Sequence, residues 1–121
     1  MALAFANRSA CYQKMGRFQV ALRDIELALS SGYPEDKAFK LLERKAECLL
    51  ATKAFDKARE SFLMTIKMIK KNVGLKPAQR DKFLSAIEQK MAKIPQEVKI
   101  LEDEQNWGTN DNDPLLNMNL G

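Results

Sequence analysis

Three polar side chains in this chain have the types and spacing needed to hold a carboxylate. Lys40 and Arg44 are four residues apart, so on a helix both side chains lie on one face. An ammonium and a guanidinium there can bind a carboxylate through charge-assisted hydrogen bonds, and the guanidinium can use two donors at once. Asn7 would add an amide if the fold brought it alongside. The pattern predicts a peptide-carboxylate site of Asn7, Lys40 and Arg44, although a locally bonded amide beside a solvated cationic helix face fits it equally well.

The composition of the chain argues against a catalytic site or a metal site. The chain has no histidine and two cysteines, which excludes an imidazole base, a Ser–His or Cys–His pair, and metal sites built on histidine and cysteine. The acidic pairs Asp24/Glu26 and Glu35/Asp36 are interpreted as solvated surface charge. We therefore expect no catalytic residue, no metal ligand and no cofactor within this chain, and a function in recognition.

A pattern of large and small residues occurs twice, 37 residues apart. Large, small and large residues recur in the same order, as Phe5, Ser9, Tyr12, Ala21, Ile25 and Ala28 and then as Leu42, Ala46, Leu49, Ala58, Phe62 and Thr65. Such a repeat predicts tetratricopeptide (TPR) helical hairpins, which stack to bury a common core and leave a concave groove. In TPR units the first helix of each pair lines this groove. Asn7 and Arg44 occupy the same position of that helix, so we expect both side chains to face solvent in one groove.

The predicted fold is all-α: TPR-like helical hairpin repeats in a short right-handed superhelix, closed by a capping helix. Apolar spacing, turn residues and proline positions predict helices over about 2–15, 18–30, 37–52, 56–71 and 78–94. Asp36 is the expected N-cap of the third helix. Lys53 stands where the first repeat has Gly16, so a non-glycine residue is expected in a turn that favours left-handed backbone. The expected units are repeats over 2–33 and 37–72, a capping helix over 78–95 and a connector over 96–121.

The repeat also predicts which side chains are buried. Cys11 and Cys48 are expected to be small packing residues of a protein in a reducing compartment, too far apart for a disulfide. Met64, Met68 and Met91 are expected to fill gaps in the core. The predicted core consists of Phe5, Tyr12, Ala21, Ile25, Ala28, Leu42, Leu49, Ala58, Phe62 and Ile66.

Charge divides the chain into a basic body and an acidic tail. Residues 1–96 carry 19 Lys and Arg against 10 Asp and Glu, whereas residues 97–121 carry one Lys and six acids. We expect residues 108–121 to be flexible and the tail to contact the body only weakly, because salt screens such contacts. Trp107, the tail's one aromatic residue, is a candidate anchor onto the body. Lys67, Lys70 and Lys71 are interpreted as surface charge favoured at a helix C-terminus.

Several motifs resemble one family in particular. The segments Ala4–Ala10, Ala21–Leu29, Gly32–Pro34 and Lys40–Leu49 are similar to the TPR segment of the SET and MYND domain-containing lysine methyltransferases. The lengthened linker with Gly-Tyr-Pro is the most specific feature, since a generic 34-residue repeat lacks it. The resemblance covers roughly residues 2–96. It implies a longer protein that transfers methyl groups from S-adenosylmethionine to protein lysines and binds zinc in its MYND finger, with all of that chemistry outside this chain.

Three functions remain open at this point. The chain is an interaction segment of such a methyltransferase, or a free-standing co-chaperone-type adaptor that grips the acidic C-terminal peptides of Hsp70 or Hsp90, or a segment that packs against its own catalytic domain. The Asn7, Lys40 and Arg44 positions match part of the two-carboxylate clamp of chaperone-binding TPR domains, which also needs a lysine and an asparagine from a preceding repeat. About three repeats usually make a stable stack, so the chain is interpreted as a fragment of a longer protein. The expected partners are proteins or acidic peptides, not membranes or nucleic acids, in the cytoplasm or nucleus.

Overall fold

A computed structural model describes residues 1–95 and confirms the all-α, TPR-like fold class. In that part of the chain there is no strand, and none of its helices has the length and apolar character needed to cross a membrane. The five helices are α1 Ala2–Lys14, α2 Phe18–Ser30, α3 Ala38–Ala51, α4 Phe55–Lys71 and α5 Pro77–Met91, with a 3-10 turn at Glu35–Lys37. The expected acidic connector over 96–121, including Trp107 and the predicted flexible segment 108–121, lies outside the described residues.

The two hairpins, α1–α2 and α3–α4, turn in the same way at equivalent positions. Gly16 has φ +77° and lies just after α1, and its N–H donates to the Gln13 carbonyl at 3.0 Å. Lys53, at φ +65°, takes the same role after α3 and donates to the Leu50 carbonyl at 3.1 Å. The left-handed conformation costs a residue with a Cβ about 1–2 kcal/mol, so the second turn is strained where the first is not.

The linker between the hairpins differs from the expectation at one point. Asp36 is not the N-cap of α3: it lies within the 3-10 turn, and Lys37 takes the cap position without a side-chain hydrogen bond. The extra turn uses the added linker residues and shifts the helix start beyond Asp36. Asn72, at the end of α4, donates from Nδ2 to the Asp36 carbonyl at 2.8 Å and ties the linker to the second hairpin.

The core forms two clusters. The first joins α1 and α2 to α3, and the second joins α3 and α4 to α5. Ile25, Ala28 and Leu41 are buried in the first cluster, and Phe39, Phe62, Ile69 and Ile87 are buried in the second, where α5 closes the stack. Six predicted core residues are buried, namely Ala21, Ile25, Ala28, Leu49, Ala58 and Phe62. The other four are only partly buried, namely Phe5, Tyr12, Leu42 and Ile66. A stack of two helix layers is thin, so side chains at its rim keep part of their surface in water.

Equivalent faces of α1 and α3 have different surroundings. Leu41 and Cys48 on α3 are almost fully buried against the first hairpin, whereas Ala4 and Cys11, at the same positions of α1, are exposed. The expectation that both cysteines are packing residues is therefore right for Cys48 and wrong for Cys11. The reason is geometric: among the described residues α3 has a hairpin on this side and α1 has none.

Of the three methionines expected to fill the core, two do so. Met68 and Met91 pack partly buried against the second cluster. The prediction is wrong for Met64, because its side chain on α4 is 49% exposed. It lies at the rim of the groove between α3 and α4, where it borders Phe39 and Met68 but keeps about half of its surface in water.

Candidate peptide-binding face

The predicted site residues lie on two neighbouring first helices, α1 and α3. On α3, Lys40, Glu43, Arg44 and Glu47 follow one another at helical spacing and share one face. Contacts from this face reach α1 on one side and α5 on the other. We call the surface formed by these α3 residues with Asn7 of α1 and Phe83 and Lys90 of α5 the first-helix face.

Arg44 is held by α1 and does not project freely into solvent. Its Nη1 donates to the Ala6 carbonyl and to the Ser9 hydroxyl, both at 3.0 Å. Ser9 is fully buried and donates its own hydroxyl proton to the Ala6 carbonyl at 2.6 Å. The expected solvent-facing orientation of Arg44 is therefore wrong in part. A guanidinium has five N–H donors, so Nε and Nη2 remain for a ligand while Nη1 fixes the orientation of the group.

Lys40 and Asn7 are the more open members of the predicted site. Both are exposed, and Asn7 makes no side-chain hydrogen bond to the described part of the chain. Lys40 Nζ lies 5.9 Å from the centroid of the Phe83 ring on α5, within the range of a cation–π contact. Asn7 follows Ala6, whose carbonyl accepts the Arg44 bond. The structure thus brings Asn7 and Arg44 onto adjoining helices, and Lys40 one turn further along α3.

Two acids that are not part of the predicted site share this face with the cations. Lys90 of α5 donates to Glu43 and also to Glu47, the latter at 2.5 Å. Glu47 in turn accepts a hydrogen bond from Gln13 Nε2 of α1 at 2.9 Å, so a chain of polar contacts connects α1, α3 and α5. Burial opposes the charge on Lys90, but the hydrogen bonds from Glu43 and Glu47 outweigh it and raise the pKa of Lys90. The only signal in the sequence was the i, i+4 spacing of the two glutamates.

A further ion pair lies inside the first hairpin. Asp24, interpreted from the sequence as surface charge, is 1% exposed on α2. Arg8 of α1 binds it with two parallel bonds, from Nε and Nη2, both 2.8 Å long. The hydrogen bond from Arg8 outweighs burial and lowers the pKa of Asp24. The surface interpretation was wrong because Asp24 lies between α1 and α2, where the Arg8 guanidinium binds its carboxylate.

Among residues 1–95, the remaining reactive groups are two free cysteines and dispersed acids. Burial, and next the charge of Glu47, raises the pKa of Cys48 to about 11, so its thiol stays protonated and unreactive at neutral pH. Over residues 1–95, no group of three or more acidic or cysteine side chains is placed to hold a metal ion. The face is suited to binding a ligand through hydrogen bonds and charge.

Comparisons with known proteins give one consistent relationship. No protein-family model matches the chain, and no solved structure matches it. The chain is 33% identical over 94 residues to protein-lysine N-methyltransferase SMYD4 of Homo sapiens, an alignment that covers 78% of this chain and 11% of that protein. It is 56% identical over 50 residues to SMYD4 of Gallus gallus, which covers 41% of this chain and 7% of that protein.

A third relative has the same name. SMYD4 of Mus musculus is 35% identical over 77 residues, covering 64% of this chain and 9% of that protein. The chain thus spans about a tenth of the length of the curated relatives it matches. In sequence, this all-α chain is similar to a short segment of the protein-lysine N-methyltransferases SMYD4.

Proposed function

We propose that the chain is a TPR-type protein-interaction segment of a protein-lysine methyltransferase. Its catalytic part, with a SET region that uses S-adenosylmethionine and a zinc-binding MYND finger, lies outside residues 1–121. Two findings support this: the similarity to SMYD4 over 94 residues, and the stacked helical hairpins of residues 1–95. Hairpins of this kind present extended surfaces for binding other proteins. The coding sequence on both sides of residues 1–121 tests the proposal directly, because the lack of a SET region both upstream and downstream would contradict it.

The ligand proposed for the first-helix face is an acidic peptide with an exposed carboxylate. The main support comes from the Arg44 guanidinium. Its Nη1 is hydrogen-bonded to α1, whereas its Nε and Nη2 have no hydrogen-bond partner within the described residues. A guanidinium already held in place loses less conformational freedom on binding. Lys40, one turn away and exposed, supplies a second cation, and Asn7 supplies an amide from α1.

The acids of the face limit which peptide fits. Glu43 and Glu47 share it with Lys40, Arg44 and Lys90, so cations outnumber acids by three to two. Because Lys90 is bonded to both glutamates, it is not free for a ligand. The positive charge available to a peptide is therefore local, at Lys40 and Arg44. We propose that one carboxylate binds there, with the Phe83 ring beside it for an apolar neighbour.

Peptide titration tests this assignment. A fluorescent acidic peptide with a free C-terminal carboxylate is titrated against the wild type and Lys40→Ala. We expect a loss of affinity of roughly two- to fivefold, because an exposed ion pair contributes up to about 1 kcal/mol and 1.4 kcal/mol is tenfold. Asn7→Ala should lose less, since a neutral amide makes a weaker bond.

The matched control is Lys57→Ala, which removes an exposed lysine from α4 and away from the face. It should bind as the wild type does, and added salt should weaken binding by the wild type more than by Lys40→Ala. If Lys40→Ala and Lys57→Ala bind the peptide equally well, the carboxylate site is not at Lys40.

A further inference from the structure

A separate groove lies where α3 begins and α4 ends. It encloses about 480 Å³, within the range of pockets that hold small ligands and single side chains. Phe39 and Met68, both part of the second core cluster, line its inner side. Met64 and Val73 line it as well, and they are 49% and 97% exposed. None of Asn7, Lys40 and Arg44 lines this groove, so it is distinct from the proposed peptide site.

The groove has an apolar floor between two charged rims, with Lys67 and Lys71 on α4 and with Glu35 and Asp36 on the linker before α3. On α4, Met64, Lys67, Met68 and Lys71 follow at i, i+3, i+4 and i+7, so thioethers and ammonium groups alternate along one stripe. An exposed apolar groove of this kind marks a docking surface more often than an ordinary solvated face. Its chemistry suits a ligand with one large apolar group and with negative charge on the α4 side, away from Glu35 and Asp36.

The chain itself contains such a segment outside the described residues. Glu102, Asp103 and Glu104 stand shortly before Trp107, the only tryptophan of the 121 residues. An indole ring has the size and apolar surface to fill a groove of this volume, and methionine sulfur makes favourable contacts with aromatic rings. The three carboxylates match the ammonium groups of Lys67 and Lys71 when the segment lies on the α4 side of the groove, away from Glu35 and Asp36.

The chain between Pro95 and Trp107 is long enough for Trp107 to reach the groove. Lys90, near the end of α5, bonds to Glu47, near the end of α3, so the chain leaves α5 at that end of the stack. The groove lies at the other end of α3, which has 14 residues and is about 21 Å long at 1.5 Å per residue. An extended chain covers about 3.3 Å per residue, so about seven residues span this distance. Trp107 lies twelve residues beyond Pro95 and reaches it with slack.

We propose that Trp107 docks intramolecularly into the groove formed by Phe39, Met64 and Met68, with the acidic run 102–104 against Lys67 and Lys71. The acidic tail then neutralises part of the basic body, and the groove becomes unavailable to other ligands while Trp107 occupies it.

Tryptophan fluorescence tests the proposal on the intact chain, since Trp107 is the one emitter of its kind. The wild type should emit at shorter wavelength than in concentrated urea and resist quenching by acrylamide. Met64→Glu replaces an exposed groove residue with a charge, which leaves the core intact, and should shift the emission to the urea value. Lys67→Glu should shift it in the same direction, and high salt should do so partly. The matched control is Met15→Glu, the same change at a residue 62% exposed after α1, and should emit like the wild type.

Each other outcome overturns the proposal. Wild-type emission at the urea value means that Trp107 does not dock at all. Protected emission that Met64→Glu leaves unchanged means that the ring docks elsewhere. Emission that moves toward the urea value when the protein is diluted means that a second copy supplies the tryptophan. Circular dichroism at 222 nm checks that all variants remain helical.

Discussion

Replacing Arg44 with alanine tests two roles that the sequence does not distinguish, namely binding a ligand and holding α3 to α1. A cation that only faces a groove should be removable without loss of stability. In the structure, Arg44 Nη1 instead links α3 to the Ala6 carbonyl and the buried Ser9 hydroxyl of α1. We therefore expect Arg44→Ala to destabilise the fold as well as to weaken any peptide binding.

The magnitude follows from the two bonds. Hydrogen bonds to a charged group contribute about 1.5–3 kcal/mol each, but two bonds from one nitrogen do not add fully, so a total of about 2–3 kcal/mol is expected. For a domain of this size each kcal/mol shifts Tm by about 4–8 °C, which gives a decrease on the order of 10–20 °C. Lys40→Ala, on the same helix and exposed, should change stability by less than about 0.5 kcal/mol.

Thermal and urea unfolding followed by circular dichroism measure both variants. A double-mutant cycle with Ser9→Ala isolates the shared bond, because Ser9→Ala should cost less in the Arg44→Ala background than in the wild type. We expect a coupling energy of about 0.5–1.5 kcal/mol. If Arg44→Ala unfolds together with Lys40→Ala, or the coupling is zero, then Nη1 does not hold α1 to α3 and the guanidinium is ordinary surface charge.

Three further outcomes are expected. A maleimide should label Cys11 rapidly in the native protein and Cys48 only on unfolding, which mass spectrometry of the labelled peptides detects, because Cys48 is buried and its pKa is raised to about 11. Asp24 has a lowered pKa, so its stabilising effect is complete above its unfolded pKa of about 3.9 and is lost as pH falls through the folded value. The Tm of Asp24→Asn should accordingly vary less than that of the wild type between neutral and acidic pH. Lys53→Gly should raise the free energy of unfolding by up to about 1 kcal/mol by removing left-handed strain, whereas Gly16→Ala should lower it by a similar amount.

The repeat pattern was enough to predict the helices and much of the core. Small residues such as Ala21 and Ala58 mark the points where helices approach closely, and their spacing is visible without a structure. The turn residues Gly16 and Lys53 were found for the same reason, since their place in the repeat requires left-handed backbone. Helices, turns and small packing residues recur at equivalent positions of the repeat and depend mainly on nearby residues, so one sequence is enough to predict them.

The contacts between helices could not be predicted in this way. The bonds of Arg44 to Ala6 and Ser9 depend on how far α3 is shifted and rotated against α1, which residue types alone do not specify. The bonds from Lys90 depend on the register of α5, whose apolar pattern is weak. Asp24 was placed at the surface because buried carboxylates are rare, and only the structure shows the arginine that covers it.

The different surroundings of α1 and α3 also determine how the two hairpins tolerate change. Positions 11 and 48 carry the same residue at the same point of the repeat, yet one is exposed and the other is fully buried. In the chain of 121 residues, substitutions at position 11 should therefore be tolerated widely, including charged residues, whereas position 48 should accept only small apolar residues. The pair at positions 4 and 41 should behave likewise. In this chain, the same substitution should therefore change the free energy of unfolding little at positions 4 and 11 and lower it clearly at positions 41 and 48.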